Sequence, residues 1–75
     1  MPKLQNLKFK EFEKFLFAEG CVFVRSKGDH FIYQKYDLDR PIVLPKYKTI
    51  PEFIISNNLR LLNKTKKDLL DFLSE

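Results

Sequence analysis

The residues with the most chemistry per length lie in RSKGDHFIYQKY, Arg25 to Tyr36, which holds the only histidine of the chain, His30. An unperturbed imidazole titrates near neutrality, so His30 can take or give a proton at physiological pH. Arg25, Lys27 and Lys35 surround it in sequence, with Arg40, Lys46 and Lys48 further on, against only Asp29, Asp37 and Asp39 across the same segment. Imidazole beside fixed cations suits a phosphodiester. RNA carries its own nucleophile, the 2′-hydroxyl, so a protein need only move one proton and hold the phosphate charge. A guanidinium grips phosphate as a fork, whereas lysines act as point charges. Tyr33, Tyr36 and Tyr47 can stack on bases or cover the core edge. A lone histidine at a hairpin tip also serves as a solvated turn residue, and spacing by itself leaves both roles open. Ser26 reads as a turn residue and Cys21, on an apolar stretch, as core.

The composition narrows the options further. Seventy-five residues, 44% of them apolar with eight phenylalanines, make one small folded domain over 1–75. Such a core leaves little room for a buried cofactor, so any active site is expected to be a shallow surface feature without one. One cysteine and one histidine build neither a disulfide nor a zinc motif, and no metal is expected. A net charge of +4 favours an anionic partner, nucleic acid before acidic protein. No apolar run is long enough to span a bilayer, and MPKLQNLKFK lacks the apolar centre of a signal peptide. The expectation is a cytoplasmic protein with no membrane partner.

The elements that must position His30 follow from periodicity. Asn6 can cap a helix through LKFKEFEKFLFAE, whose Phe9, Phe12, Phe15 and Leu16 recur at helical spacing, and Gly20 suits the left-handed residue at its end. CVFVRS, HFIYQKY and PIVLP then read as three strands, and the prolines flanking the last suit either an edge position or the strand ends. Thr49 or Ile50 can cap a second helix with Pro51 in its first turn and Phe53, Ile54, Leu59 and Leu62 on its apolar face. Asn63 or Lys64 ends it. Thr65, with Asp68 three residues on, starts a last helix carrying Leu69, Phe72 and Leu73. Strands grouped between helices predict an α+β domain: a helix, a three-stranded antiparallel sheet, then one long helix or two. The helices pack on one sheet face and the other is left open.

The turn sets what stands beside His30. A two-residue Lys27-Gly28 loop pairs Ser26 with Asp29, Arg25 with His30 and Phe23 with Ile32, which puts Arg25 and His30 about 5 Å apart at Cβ. Lys-Gly is a weak pair for such a loop, and a four-residue loop is the alternative.

The residues also carry a resemblance. A first helix ending in glycine runs into GCVFVRSKGDHFIYQK, then RPIVLPKYKTIPEFIISNNLRLL and KKDLLDFL. This resembles the HicA family of toxins from type II toxin–antitoxin modules, from about Lys8 to Leu73. The most specific positions are Arg25, Gly28, Asp29 and His30. Val43 to Lys46 and Ile50-Pro51 also match. The resemblance implies a double-stranded-RNA-binding-like fold and a small ribonuclease that cleaves messenger RNA, with His30 as the catalytic residue. It also implies a cognate HicB-like antitoxin that covers the active face. Asp29 stands where the family's commonest tripeptide has serine. A carboxylate there favours a protonated imidazole and repels RNA phosphate. Lys27, Lys35, Lys46 and Lys48 join Arg25 as candidate RNA contacts. The rival reading is an RNA-binding module of the same fold that does not cut.

Overall fold

The computed structural model describes residues 7–74. Its elements run α1 (Phe9–Ala18), β1 (Val22–Lys27), β2 (His30–Gln34), β3 (Ile42–Pro45), α2 (Glu52–Leu61) and α3 (Lys66–Leu73). The three strands form one antiparallel sheet in the order β1-β2-β3, as the sequence predicts. No helix among the described residues is long and apolar enough to cross a membrane.

Helix α1 forms because Phe12, Phe15 and Leu16 line one face, and all three are buried. Its N-cap is Lys8, whose backbone N–H donates to the Glu11 side chain at 3.2 Å. The expected cap, Asn6, lies outside the described residues. Gly20 ends the helix with φ +95°, a conformation glycine adopts at little cost. The left-handed Asn63 (φ 58°) closes α2 and separates it from α3, so the C-terminal half holds two helices. Thr65 and Asp68 exchange hydrogen bonds at the start of α3, at 3.1 and 2.9 Å.

Two expectations about α2 need correction. Pro51 is its N-cap, not part of its first turn, because its backbone is extended (φ −60°, ψ 145°) while its carbonyl accepts the Ile55 N–H at 3.2 Å. Phe53 is 68% exposed and does not join the apolar face. That face is Ile55, Asn58, Leu59 and Leu62, spaced i, i+3, i+4, i+7, with Ile54 half-buried against the core beside it, as expected. Asn58 is a buried polar residue the sequence pattern does not reveal.

The core lies between the helices and one sheet face. Phe12, Phe15 and Leu16 meet Tyr33, Ile42 and Leu44 from the strands and Ile55, Leu59 and Leu69 from the C-terminal helices. Since Phe31, Tyr33, Ile42 and Leu44 face the helices, alternation turns His30, Ile32, Gln34 and Val43 to the other side. His30 and Val43 are exposed there, and Ile32 is half-buried.

The hairpin register is the main correction. The loop is Gly28-Asp29, so Lys27 pairs with His30, Ser26 with Phe31 and Arg25 with Ile32. Gly28 takes φ +57° while Asp29 stays out of the left-handed region, the pattern of a hairpin turn with glycine at its first central position. Only glycine offers that conformation freely here, and a Lys27-Gly28 loop would have needed it of lysine. Further along, Phe23 pairs with Tyr33 and Val22 with Gln34, so the ladder slips at Val24 and forms a bulge. The extra residue returns Phe23 to the helix side, where its ring meets Phe31 and Tyr33 edge-on at 5.8 and 5.6 Å.

Candidate functional site

With this register, His30 sits at the start of β2 on the open face, exposed, directly opposite Lys27. Cross-strand partners stand about 5 Å apart at Cβ and diagonal neighbours roughly 7–8 Å. Lys27 therefore takes the near position expected of Arg25. Arg25, opposite Ile32, keeps to the same face as the diagonal neighbour of His30. Both cations are exposed, and neither forms a salt bridge among the described residues. The site is an exposed imidazole flanked by two exposed positive charges that have no salt-bridge partner among the described residues.

Gly28 and Asp29 make the turn that sets this spacing. Asp29 is exposed, and no ion pair joins it to His30 among the described residues. Its backbone has a structural role, because its carbonyl accepts the Lys46 N–H at 2.9 Å and ties the turn to the end of β3. On the far side of His30, Pro45 is its β3 partner. Lys46 and Lys48 follow in the connector to α2. Lys46 places its Nζ 4.8 Å from the centroid of the Phe31 ring, a cation–π contact.

Lys35 is not part of this group. It lies just past the end of β2, five positions from His30 or roughly 16 Å at strand rise, and its Nζ is 3.9 Å from Asp37. Tyr36, 98% exposed, shares that remote end. Tyr33 is withdrawn from any base-stacking role: it is fully buried, and its hydroxyl donates to Glu13 on α1. Burial first, then the Glu13 carboxylate, push its pKa far above the ordinary tyrosine value. Cys21 is buried as expected, and desolvation raises its thiol pKa, so it stays a protonated apolar filler.

One feature escapes a reading of neighbouring residues. Lys8 bridges to Thr49, with the Phe9 N–H donating to the Lys48 carbonyl at 3.1 Å. This contact brings the start of α1, with Lys8 and Lys10, against the Lys46–Lys48 connector. Two clusters of cations distant in sequence meet beside the hairpin tip.

A family model described as HicA toxin of bacterial toxin–antitoxin matches residues 9–63, which hold every hairpin residue named above together with α1 and α2. No curated protein and no solved structure gives a match.

Proposed function

Because the chain belongs to the HicA toxin family of bacterial toxin–antitoxin systems, we propose that it is a metal-independent endoribonuclease acting on messenger RNA, with His30 as general acid or base. The observation that carries this reading is the register: it sets the only imidazole on an exposed face with Lys27 opposite and Arg25 diagonal to it.

The chemistry needs little more. The 2′-oxygen of one nucleotide attacks its own phosphorus while the bond to the next 5′-oxygen breaks. The proton leaves the 2′-hydroxyl, and one is delivered to the departing 5′-oxygen. His30 carries out one of these transfers and solvent water at the exposed face the other; the share of the histidine is worth roughly 10²–10⁴-fold. Charge on the non-bridging oxygens grows in the transition state, and Lys27 and Arg25 stand where they can offset it. Asp29 faces this chemistry as a turn residue, and its carboxylate lowers the positive potential of the tip. Lys46 and Lys48 hold the strand on one side, whereas Lys35 can meet only a remote phosphate. A HicB-like antitoxin that covers this face then blocks substrate directly.

The test is incubation of purified protein with a defined RNA, followed by identification of the ends. Wild type should leave 2′,3′-cyclic phosphate and 5′-hydroxyl ends, and His30→Ala should lower the rate by roughly 10²–10⁴-fold with its fold intact. Products bearing 5′-phosphate, or equal cleavage by His30→Ala, would sink the mechanism. Salt-sensitive RNA binding without any cleavage would establish the non-cutting module instead.

A further inference from the structure

Beside the hairpin tip, on the reverse side of the sheet from His30, a cleft of about 420 Å³ opens between the start of α1 and the β3–α2 connector. Its rim carries four lysines, Lys8, Lys10, Lys46 and Lys48. Its walls are aromatic: Phe9 and Phe31 pack with ring centroids 5.3 Å apart, and Tyr47 stands 57% exposed beside them. No acidic side chain lines it, and none of its four lysines forms a salt bridge among the described residues.

The cleft is continuous with the catalytic tip. Phe31 follows His30 in β2, and Lys46 follows Pro45, the β3 partner of His30. The Lys46 N–H is bonded to the Asp29 carbonyl, and the Lys8–Thr49 bridge holds α1 against the connector. A strand passing His30 on the open face can turn around the end of the sheet and reach the aromatic walls.

Flat apolar walls under a cationic rim match a nucleotide, which offers a ring face and a phosphate at once. A peptide of acidic side chains alone satisfies the lysines but leaves the rings without a partner. In a duplex each base is stacked on its neighbours and presents only its edge, so the ring faces here require an unpaired base. We propose that this cleft is a subsite for an unpaired nucleotide of the RNA strand flanking the scissile phosphate. Its base lies against Tyr47 and the Phe9–Phe31 pair, and its phosphates meet the four lysines. The placement beside a scissile bond rests on the ribonuclease reading; the preference for single-stranded RNA over duplex rests on the cleft alone.

The experiment uses Tyr47→Ala and Lys10→Gln, each made in wild type for kinetics and in His30→Ala for binding. The probes are a short labelled single-stranded RNA and its duplex, read by fluorescence anisotropy, with a glutamate-rich peptide as competitor. Tyr47→Ala should weaken single-strand binding by roughly 5- to 100-fold and leave duplex binding unchanged. Lys10→Gln should lower the slope of log affinity against log salt by about 0.7. Thermal unfolding of both variants should match their parents. Unchanged single-strand affinity in both variants overturns the subsite, as does equal weakening for duplex. Displacement of the RNA by the peptide, at concentrations that Tyr47→Ala raises, overturns it too, because the cleft would then be a peptide site. Wild type that cleaves RNA with a KM indifferent to Tyr47→Ala also refutes the subsite and leaves the ribonuclease reading standing. Wild type that cleaves nothing refutes that reading, and with it the placement beside a scissile phosphate.

Discussion

Gly28 offers the sharpest test of how the turn serves the site. Its φ of +57° lies in the region that L side chains disfavour, and a Cβ built there meets no atom within 4 Å. A substitution is therefore penalised by backbone strain alone, with no steric clash added. Left-handed backbone costs an L residue roughly 1–2 kcal/mol, more for β-branched side chains and less for asparagine. For a domain of this size each kcal/mol shifts the unfolding midpoint by about 4–8 °C. Gly28→Val should thus lower the midpoint by roughly 5–15 °C, and Gly28→Asn by clearly less. The turn also decides which β1 residue stands opposite His30. RNA cleavage by Gly28→Val, measured where the protein is fully folded, should fall roughly tenfold to a hundredfold through misplacement of the imidazole and Lys27. Circular dichroism melts and a cleavage time course on the three proteins check both arms. Equal stability of Gly28→Val and Gly28→Asn would refute the strain argument. Full activity in a destabilised Gly28→Val would refute the link between turn and site.

Two further outcomes follow from the register and from the core. Lys27→Gln should reduce kcat/KM for RNA by roughly 10- to 100-fold, the worth of a charge-assisted contact, and more than Arg25→Gln does; a larger loss in Arg25→Gln would favour the Arg25–His30 pairing that the sequence suggests. Tyr33→Phe removes the buried hydroxyl that donates to Glu13, so it should cost about 2 kcal/mol and lower the midpoint by roughly 10 °C. The same tyrosine makes wild type alkali-sensitive. Its pKa is raised in the folded state, so the unfolded chain loses the proton first, and stability present below pH about 10 declines as pH rises above it. Absorbance titration should show Tyr33 ionising only as the protein unfolds. Ionisation of Tyr33 in protein that is still folded would contradict the burial.

Much of this protein is written locally. Phe12, Phe15 and Leu16 announce α1 by spacing, Gly20 and Asn63 end helices through left-handed backbone, and Thr65 with Asp68 caps α3. These are interactions among residues a few positions apart, so a one-dimensional pattern contains them. The α+β order and the exposed hairpin around His30 follow from the same rules. The family resemblance of the chain is also legible there, in Arg25, Gly28, Asp29 and His30, and the family match covers them.

What only the tertiary structure decides is which residues become neighbours. The sequence allows Lys27-Gly28 or Gly28-Asp29 as the loop, and the choice moves Arg25 from beside His30 to its diagonal and puts Lys27 in its place. That outcome reflects a balance over the whole sheet: where a positive φ is cheapest, and how the Val24 bulge returns Phe23 to the helix side. Burial of Tyr33 and exposure of Phe53 are settled in the same way, by competition for one small core. The cleft is the clearest case. Lys8 to Lys10, Phe31 and Lys46 to Lys48 come from three separate segments, and no periodicity relates them. They meet because the chain folds the start of α1 against the β3–α2 connector. The sequence by itself determines the elements and the imidazole; packing decides the charges and rings placed around it.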